Sequence, residues 1–309
     1  QLAQALAERG QTAAAEIVTL ARPSFDLLDA AGVARAIEAA SCQIIVNAAA
    51  YTNVDGAESE PDLAMAINAE GARHVARAAA RLSIPVIQIS TDYVFDGCAT
   101  RPYREDDNST PLSVYGKSKL AGEQAVREAS PNHVIVRTAW LYSATGSNFV
   151  RLMLQLGETR SAISVVADQY GSPTYVVDLA DTIVAIAAQL VLQPGATVLR
   201  GVFHAAGTGE ASRAELAEAV FGNATKRGRA PVRVDRIATK DYPAAARRPA
   251  DSRLDSHKLE TIYGLKLPEW RQSLDMCLDR LLGPVADSSE IHTSSPADLL
   301  YKNTFNEGR

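Results

Sequence analysis

Short apolar, β-rich runs alternate with alanine-rich stretches of helical period along the first two-thirds of this chain. That alternation is what helices packed on both faces of a parallel sheet require. The runs that predict strands are residues 16–20, 43–47, 85–90, 133–137 and 163–166, each nearly continuous in apolar residues, as a strand covered on both faces should be. Helices are predicted between them at about 31–40, 62–82, 114–129 and 148–156. After Gln169 the rhythm loosens: 175–192 and 213–220 read as helices, 202–205 as a strand, and a proline- and arginine-rich stretch runs from Tyr242 to Arg253. This second region predicts a smaller lobe that closes over a substrate. From Gly283 onward the chain turns polar and serine-rich, which predicts a loose tail.

A doubly wound sheet that holds a dinucleotide opens on a strand and a glycine-rich turn, whose glycines let backbone approach the pyrophosphate. No such fingerprint occurs in the 309 residues, and the chain begins in a predicted helix over 1–9 that ends near Gly10. A parallel sheet without its central strand leaves buried backbone groups unpaired. The expectation is therefore that a first strand and its turn, roughly 10–20 residues, precede Gln1. The predicted fold class is α/β: a Rossmann-type doubly wound parallel sheet over 1–168, a smaller C-terminal substrate-binding lobe mainly over 169–282, and a tail over 283–309.

Composition excludes several classes. An apolar content of 47% supplies a large core, and a net charge of −5 with no clustered basic face argues against a nucleic-acid partner. Cys42, Cys98 and Cys277 are odd in number and far apart, which fits a reducing cytoplasm, and the five histidines do not pair with cysteines at metal-ligand spacing. The longest apolar stretch, 183–192, is interrupted by Gln189 and is too short to span a bilayer; no signal peptide opens the chain. A cytoplasmic protein with no metal and no membrane association is expected.

The chemistry concentrates in Ser113-Val114-Tyr115-Gly116-Lys117-Ser118-Lys119, at the start of a predicted helix. Tyr115 and Lys119 are four apart, hence on one helical face. A ketone reduced by hydride needs a proton at its oxygen, and a phenol supplies it when a nearby ammonium lowers its pKa. Ten tyrosines and seven lysines would give this spacing by chance roughly one time in five, so the motif alone is weak. Its surroundings strengthen it. The run Ser90-Thr91-Asp92-Tyr93-Val94-Phe95-Asp96-Gly97 places hydroxyls at the carboxyl end of a predicted strand, where open α/β sheets build their sites, and Thr91 is positioned to donate to the same carbonyl oxygen. A third loop, Asn47-Ala48-Ala49-Ala50-Tyr51-Thr52-Asn53-Val54-Asp55, offers small residues along which a flat ligand can lie.

These segments, with Arg-Thr-Ala-Trp-Leu-Tyr at 137–142, Asp-Gln-Tyr-Gly-Ser-Pro-Thr at 168–174 and Ala-Arg-Arg-Pro at 246–249, resemble the dTDP-4-dehydrorhamnose reductase family of extended short-chain dehydrogenases/reductases over about residues 1–282. The resemblance implies reduction of the 4-keto group of dTDP-4-dehydro-6-deoxy-L-mannose by a nicotinamide cofactor, NAD(P)H, to give dTDP-L-rhamnose. In that scheme Tyr115 is the acid, Lys119 lowers its pKa and holds the nicotinamide ribose, and Thr91 assists at the carbonyl. Asp26 and Leu27 would lie beside the adenine, and Ala50, Tyr51 and Thr52 along the cofactor's central part. Asp92 and Trp140 would touch the sugar nucleotide, with Asn148 and Arg248 toward its diphosphate or base.

Cofactor choice is also argued from residues. No acidic residue follows the run 16–20 where a ribose 2′-hydroxyl would be recognised, whereas Arg22 suits a 2′-phosphate, so NADPH is expected over NADH. Some members of the family dimerise through magnesium held by glutamates; Thr174-Tyr175-Val176-Val177 lacks a carboxylate there, leaving a monomer or a homodimer without metal. A reductase or epimerase of another 4-keto-6-deoxy sugar nucleotide, or a non-catalytic NADP-binding regulatory subunit, stays open.

Overall fold

Among the described residues, Ile45–Asn47 (β1), Val86–Thr91 (β2), His133–Thr138 (β3) and the strand Gly201–His204 form a four-stranded parallel sheet in that order. The computed structural model describes residues 1–13 and 15–285, so the expected tail lies outside it from residue 286 on. Every residue of β2 is buried, because helices cover both faces. Side chains alternate: Ile87 and Ile89 pack with Val134, Val136 and Phe203 under the helices Leu2–Thr12 and Val176–Leu192. Val86 faces the opposite way, into a cluster with Val75, Ala76, Ala79 and Val126 from the helices Ala72–Arg81 and Val114–Ala129. On that same face Gln88 and Ser90 are polar, and both are hydrogen-bonded, to Asn47 and Glu123.

The helix Val114–Ala129 matches its prediction because Ser113 caps it, accepting the Gly116 N–H at 3.1 Å. The expected helix over 62–82 is found, continuous over 61–81, with a change of winding inside it. Pro61 opens a short helix to Met65, a π-helical turn follows over Ala66–Gly71, and Ala72–Arg81 completes the run. The helix Arg213–Lys226 begins where predicted and runs past 220, its start fixed by a capping box between Ser212 and Glu215.

Three strand expectations are corrected. Residues 16–20 form no strand; Ile17, Val18 and Leu20 lie exposed, since no neighbouring strand among the described residues offers them a hydrogen-bonding ladder. The strand Ala162–Val166 does not join the central sheet but pairs with Arg233–Ile237, which the sequence reading missed. Its Ile163 and Val165 point inward and Ser164 outward, the alternation of a sheet covered on one side, here by Arg213–Lys226. Conversely, the run over 202–205, read with the C-terminal lobe, supplies the sheet's fourth strand. The helices His257–Tyr263 and Trp270–Leu282 were also unforeseen. No helix among the described residues is long and apolar enough to cross a membrane.

Candidate active site

Three loops leave the carboxyl ends of β1, β2 and β3 along one edge of the sheet. The first carries Ala50, Tyr51 and Thr52, the former two half-buried and Thr52 exposed. Asn68, on the π-helical turn, fixes this loop: it accepts the Tyr51 N–H at 2.8 Å and donates to the Tyr51 carbonyl at 3.1 Å and to Ser118 Oγ at 2.8 Å. One buried amide thereby clamps the loop to the helix that bears Tyr115, a use typical of π-turns at functional sites.

The second loop sets Thr91 and Asp92. Thr91 Oγ1 accepts the Tyr93 N–H at 3.2 Å and donates to Asp92 Oδ1 at 3.0 Å. Asp92 is 2% exposed and its Oδ2 has no partner among the described residues. Burial pushes its pKa up to about 6, against the pull of the Ser252 and Thr91 hydroxyls and the Arg213 guanidinium. A buried carboxylate oxygen without a donor is costly, and it marks a place where a ligand hydroxyl can be received.

Tyr115 enters from the helix. Gly116 lies so close to the Tyr93 carbonyl oxygen that a Cβ would overlap it, which seats the helix start on the second loop. The Tyr115 ring meets the Tyr93 ring edge-on, centroids 5.9 Å apart, and its hydroxyl has Thr91 as hydrogen-bonding neighbour. Burial raises the Tyr115 pKa, and Asp92 and Tyr93 add to the rise. The neighbour that pulls it down is the Thr91 hydroxyl. Lys119 is buried and donates to the Ile89 carbonyl at 2.7 Å, and burial brings its pKa down to about 8. One turn further, Glu123 accepts two hydrogen bonds from Arg137, at 2.8 and 2.7 Å, and one from Ser90 at 2.6 Å, a buried network that anchors the helix to β2 and β3.

The third loop carries Trp140, whose φ of +46° is rare for a residue with a side chain and marks local backbone strain. Its ring face is covered by Arg213, with Cζ 3.5 Å from the ring centroid, and Gly171 sits so close that a Cβ would overlap the indole. Sequence reasoning passed over Arg213, Asn68, Glu123 and Arg137. The signal for Arg213 was its place just after the capping Ser212, at a helix start where basic residues are out of keeping with the dipole.

The other predicted residues lie apart from this group, except Arg248, which neighbours Tyr93 and Arg213. Arg248 is engaged by Asp55, donating at 3.1 and 2.6 Å. Asn148 caps the helix Phe149–Gly157 and donates to the Ser143 carbonyl at 2.9 Å, at a hollow lined by Arg151, Leu152 and Phe221 rather than beside Tyr115. Asp26 Oδ1 accepts the Leu28 N–H at 3.0 Å, Leu27 is a core residue under Gly71, and Arg22 is exposed. Among the described residues no group of three or more His, Cys, Asp or Glu is arranged to hold a metal ion.

A parallel sheet with helices on both faces, and a Tyr-x-x-x-Lys helix set against a Ser-Thr loop at its carboxyl edge, define a nicotinamide-dependent oxidoreductase of the extended short-chain dehydrogenase/reductase class. More narrowly, the chain belongs to the family described as the RmlD substrate binding domain, whose model matches residues 1–282. It is 49% identical over 258 residues to a dTDP-4-dehydrorhamnose reductase of Sinorhizobium fredii, covering 84% of this chain and 87% of that protein. Among solved structures it is similar to the dTDP-4-dehydrorhamnose reductase of Bacillus anthracis in complex with NADP, with a TM-score of 0.83 and 39% identity over 90% of this chain and 95% of that one. The corresponding protein of Clostridium acetobutylicum superposes with a TM-score of 0.84 at 35% identity, covering 91% and 96%.

Proposed function

We propose that the protein reduces the 4-keto group of dTDP-4-dehydrorhamnose (dTDP-4-dehydro-6-deoxy-L-mannose) to give dTDP-L-rhamnose, with NADPH as the reductant. The observation that carries this reading is the meeting of Thr91, Asp92, Tyr115 and Lys119 at the end of β2, in a chain whose relatives are named for that reaction.

When bound, reduced nicotinamide supplies the hydride that adds to C4. Tyr115 gives its hydroxyl proton to the C4 oxygen, so the carbonyl becomes an alcohol and the phenolate is reprotonated from solvent. The raised pKa of Tyr115 keeps that proton in place at neutral pH. Lys119, an ammonium below about pH 8 and one helical turn away, favours the phenolate once the proton has left and is placed to hold the nicotinamide ribose. Thr91 donates its hydrogen bond to Asp92, so its part is to orient that carboxylate and the Tyr115 hydroxyl. The unpartnered Asp92 Oδ2 accepts a sugar hydroxyl, and Trp140 walls the sugar.

The residues present fit such a cofactor: the small-residue loop through Ala50, Tyr51 and Thr52 supports its central part, with Asp26 and Leu27 toward the adenine and the exposed Arg22 toward a 2′-phosphate. That arginine favours NADPH, with NADH the weaker substrate. We place the enzyme in the cytoplasm, as its three free cysteines suit, acting as a monomer or homodimer. The test is product analysis: the C4 configuration of the reduced sugar nucleotide by NMR, with NADPH and NADH compared. A product other than dTDP-L-rhamnose contradicts the assignment.

A further inference from the structure

The reading above leaves the diphosphate of the substrate without a cation, because Arg248, suggested by the sequence, is already held by Asp55. The fold supplies another. Tyr170–Gly171 pairs antiparallel with Ala211–Ser212, and on its other side the Tyr170 N–H donates to the Ala250 carbonyl at 2.8 Å while the Ser252 N–H donates to the Tyr170 carbonyl at 2.9 Å. This ribbon gathers Arg213, Arg248 and Arg253 from distant parts of the chain. Arg253 is paired with Asp251 and Glu210. Arg213 closes no ion pair among the described residues; its Cζ lies over the Trp140 ring, 3.5 Å from the centroid, Phe149 lies 5.5 Å away, and Tyr93 and Asp92 are its polar neighbours.

We propose that Arg213 is the residue that binds the diphosphate of the sugar nucleotide, with the guanidinium held over the Trp140 ring so that its free edge meets the phosphate oxygens. The inference rests on the function proposed above. A nucleoside diphosphate is the ligand class because a planar fork of N–H donors matches phosphate oxygens two at a time. The position agrees, since Trp140 and Asp92, the residues assigned to the sugar, touch or face the same guanidinium. Burial and the neighbouring Arg248 both disfavour the charge on Arg213, and an arriving dianion relieves both. Trp140 thereby acquires a second role, as the platform that pre-orients the cation.

The test is calorimetric titration of the protein, saturated with NADP⁺, with dTDP and separately with thymidine, for wild type, Arg213→Gln and Arg213→Lys. The expected result is a loss of dTDP affinity of about tenfold or more in Arg213→Gln, from loss of a charge-assisted hydrogen-bond pair. Arg213→Lys should lose less, and thymidine affinity, NADP⁺ affinity and thermal midpoint should be unchanged. Unchanged dTDP binding in Arg213→Gln overturns the inference, as does an equal loss for thymidine, which would make Arg213 a support for Trp140 alone. If wild type itself binds no dTDP, the proposed function falls and the inference falls with it.

Discussion

Arg248 and Asp55 form a two-pronged ion pair, at 3.1 and 2.6 Å, that ties the proline-rich segment of the second lobe to the loop after β1. The same carboxylate accepts the Ala246 N–H at 3.0 Å, so Asp55 organises the turn that presents Arg248. The junction between these two segments therefore rests on one partly exposed carboxylate, which the arginine holds below its ordinary pKa.

For that pair, a double-mutant cycle with Asp55→Asn and Arg248→Met should give a coupling of about 0.5–1 kcal/mol in urea unfolding, because solvent screens the half-exposed partners. KM for the sugar nucleotide should rise in both single variants. Independent, additive effects would mean that the pair carries no coupling.

Tyr115→Phe should lower kcat by about 10²–10⁴-fold, the range for losing a positioned proton donor, with the NADPH dissociation constant unchanged. Single-turnover kinetics check this. Near-wild-type turnover would remove Tyr115 from the chemistry.

Lys119 predicts a falling limb in the pH–rate profile near pH 8, where its ammonium is lost, and Lys119→Met should lack that limb. The stability sign is also fixed. Its pKa is depressed from 10.5 to about 8, so between those values the folded state binds fewer protons than the unfolded chain. Stability from this group therefore rises with pH across that window. The gap in thermal midpoint between wild type and Lys119→Met should shift in favour of wild type between pH 7 and pH 10; a constant gap would mean that Lys119 titrates normally.

Gly122→Ala should destabilise by about 1–3 kcal/mol, because its Cβ would overlap the Asn68 carbonyl oxygen, which belongs to rigid backbone. Since Asn68 also clamps Tyr51, KM for NADPH should rise more than kcat falls. Chemical denaturation and steady-state kinetics check the two parts separately.

How legible this molecule was depends on whether the deciding contact is local. Val114–Ala129 was readable because Ser113, a capping residue, stands directly before a helical pattern, and β2 because its run is apolar and bounded. The strands Ala162–Val166 and Gly201–His204 were both visible as short apolar runs, yet their assignments had to be exchanged, because which sheet a strand joins is set by crossover connections and not by its own residues. Residues 16–20 look like a strand but need a neighbour to become one. Among site residues, Tyr115 and Lys119 follow from motif spacing, Thr91 from its place at a strand end and Asp92 from the family resemblance, and the four lie together at the end of β2. Arg213 reads in sequence as a solvated helix residue, and only the ribbon that lays it on Trp140 gives it a role. Arg248 was found by resemblance, but its tie to Asp55, far away in sequence, was not.

The most direct test of the account is whether the purified protein, with no partner added, consumes NADPH in the presence of dTDP-4-dehydrorhamnose, followed by the loss of reduced-nicotinamide absorbance. The account predicts turnover dependent on the keto sugar, one NADPH consumed per sugar reduced, and dTDP-L-rhamnose as product. Binding of NADPH and of dTDP with no turnover would contradict it, and would make the chain a cofactor-binding regulatory subunit that keeps the architecture of the enzyme without its reaction.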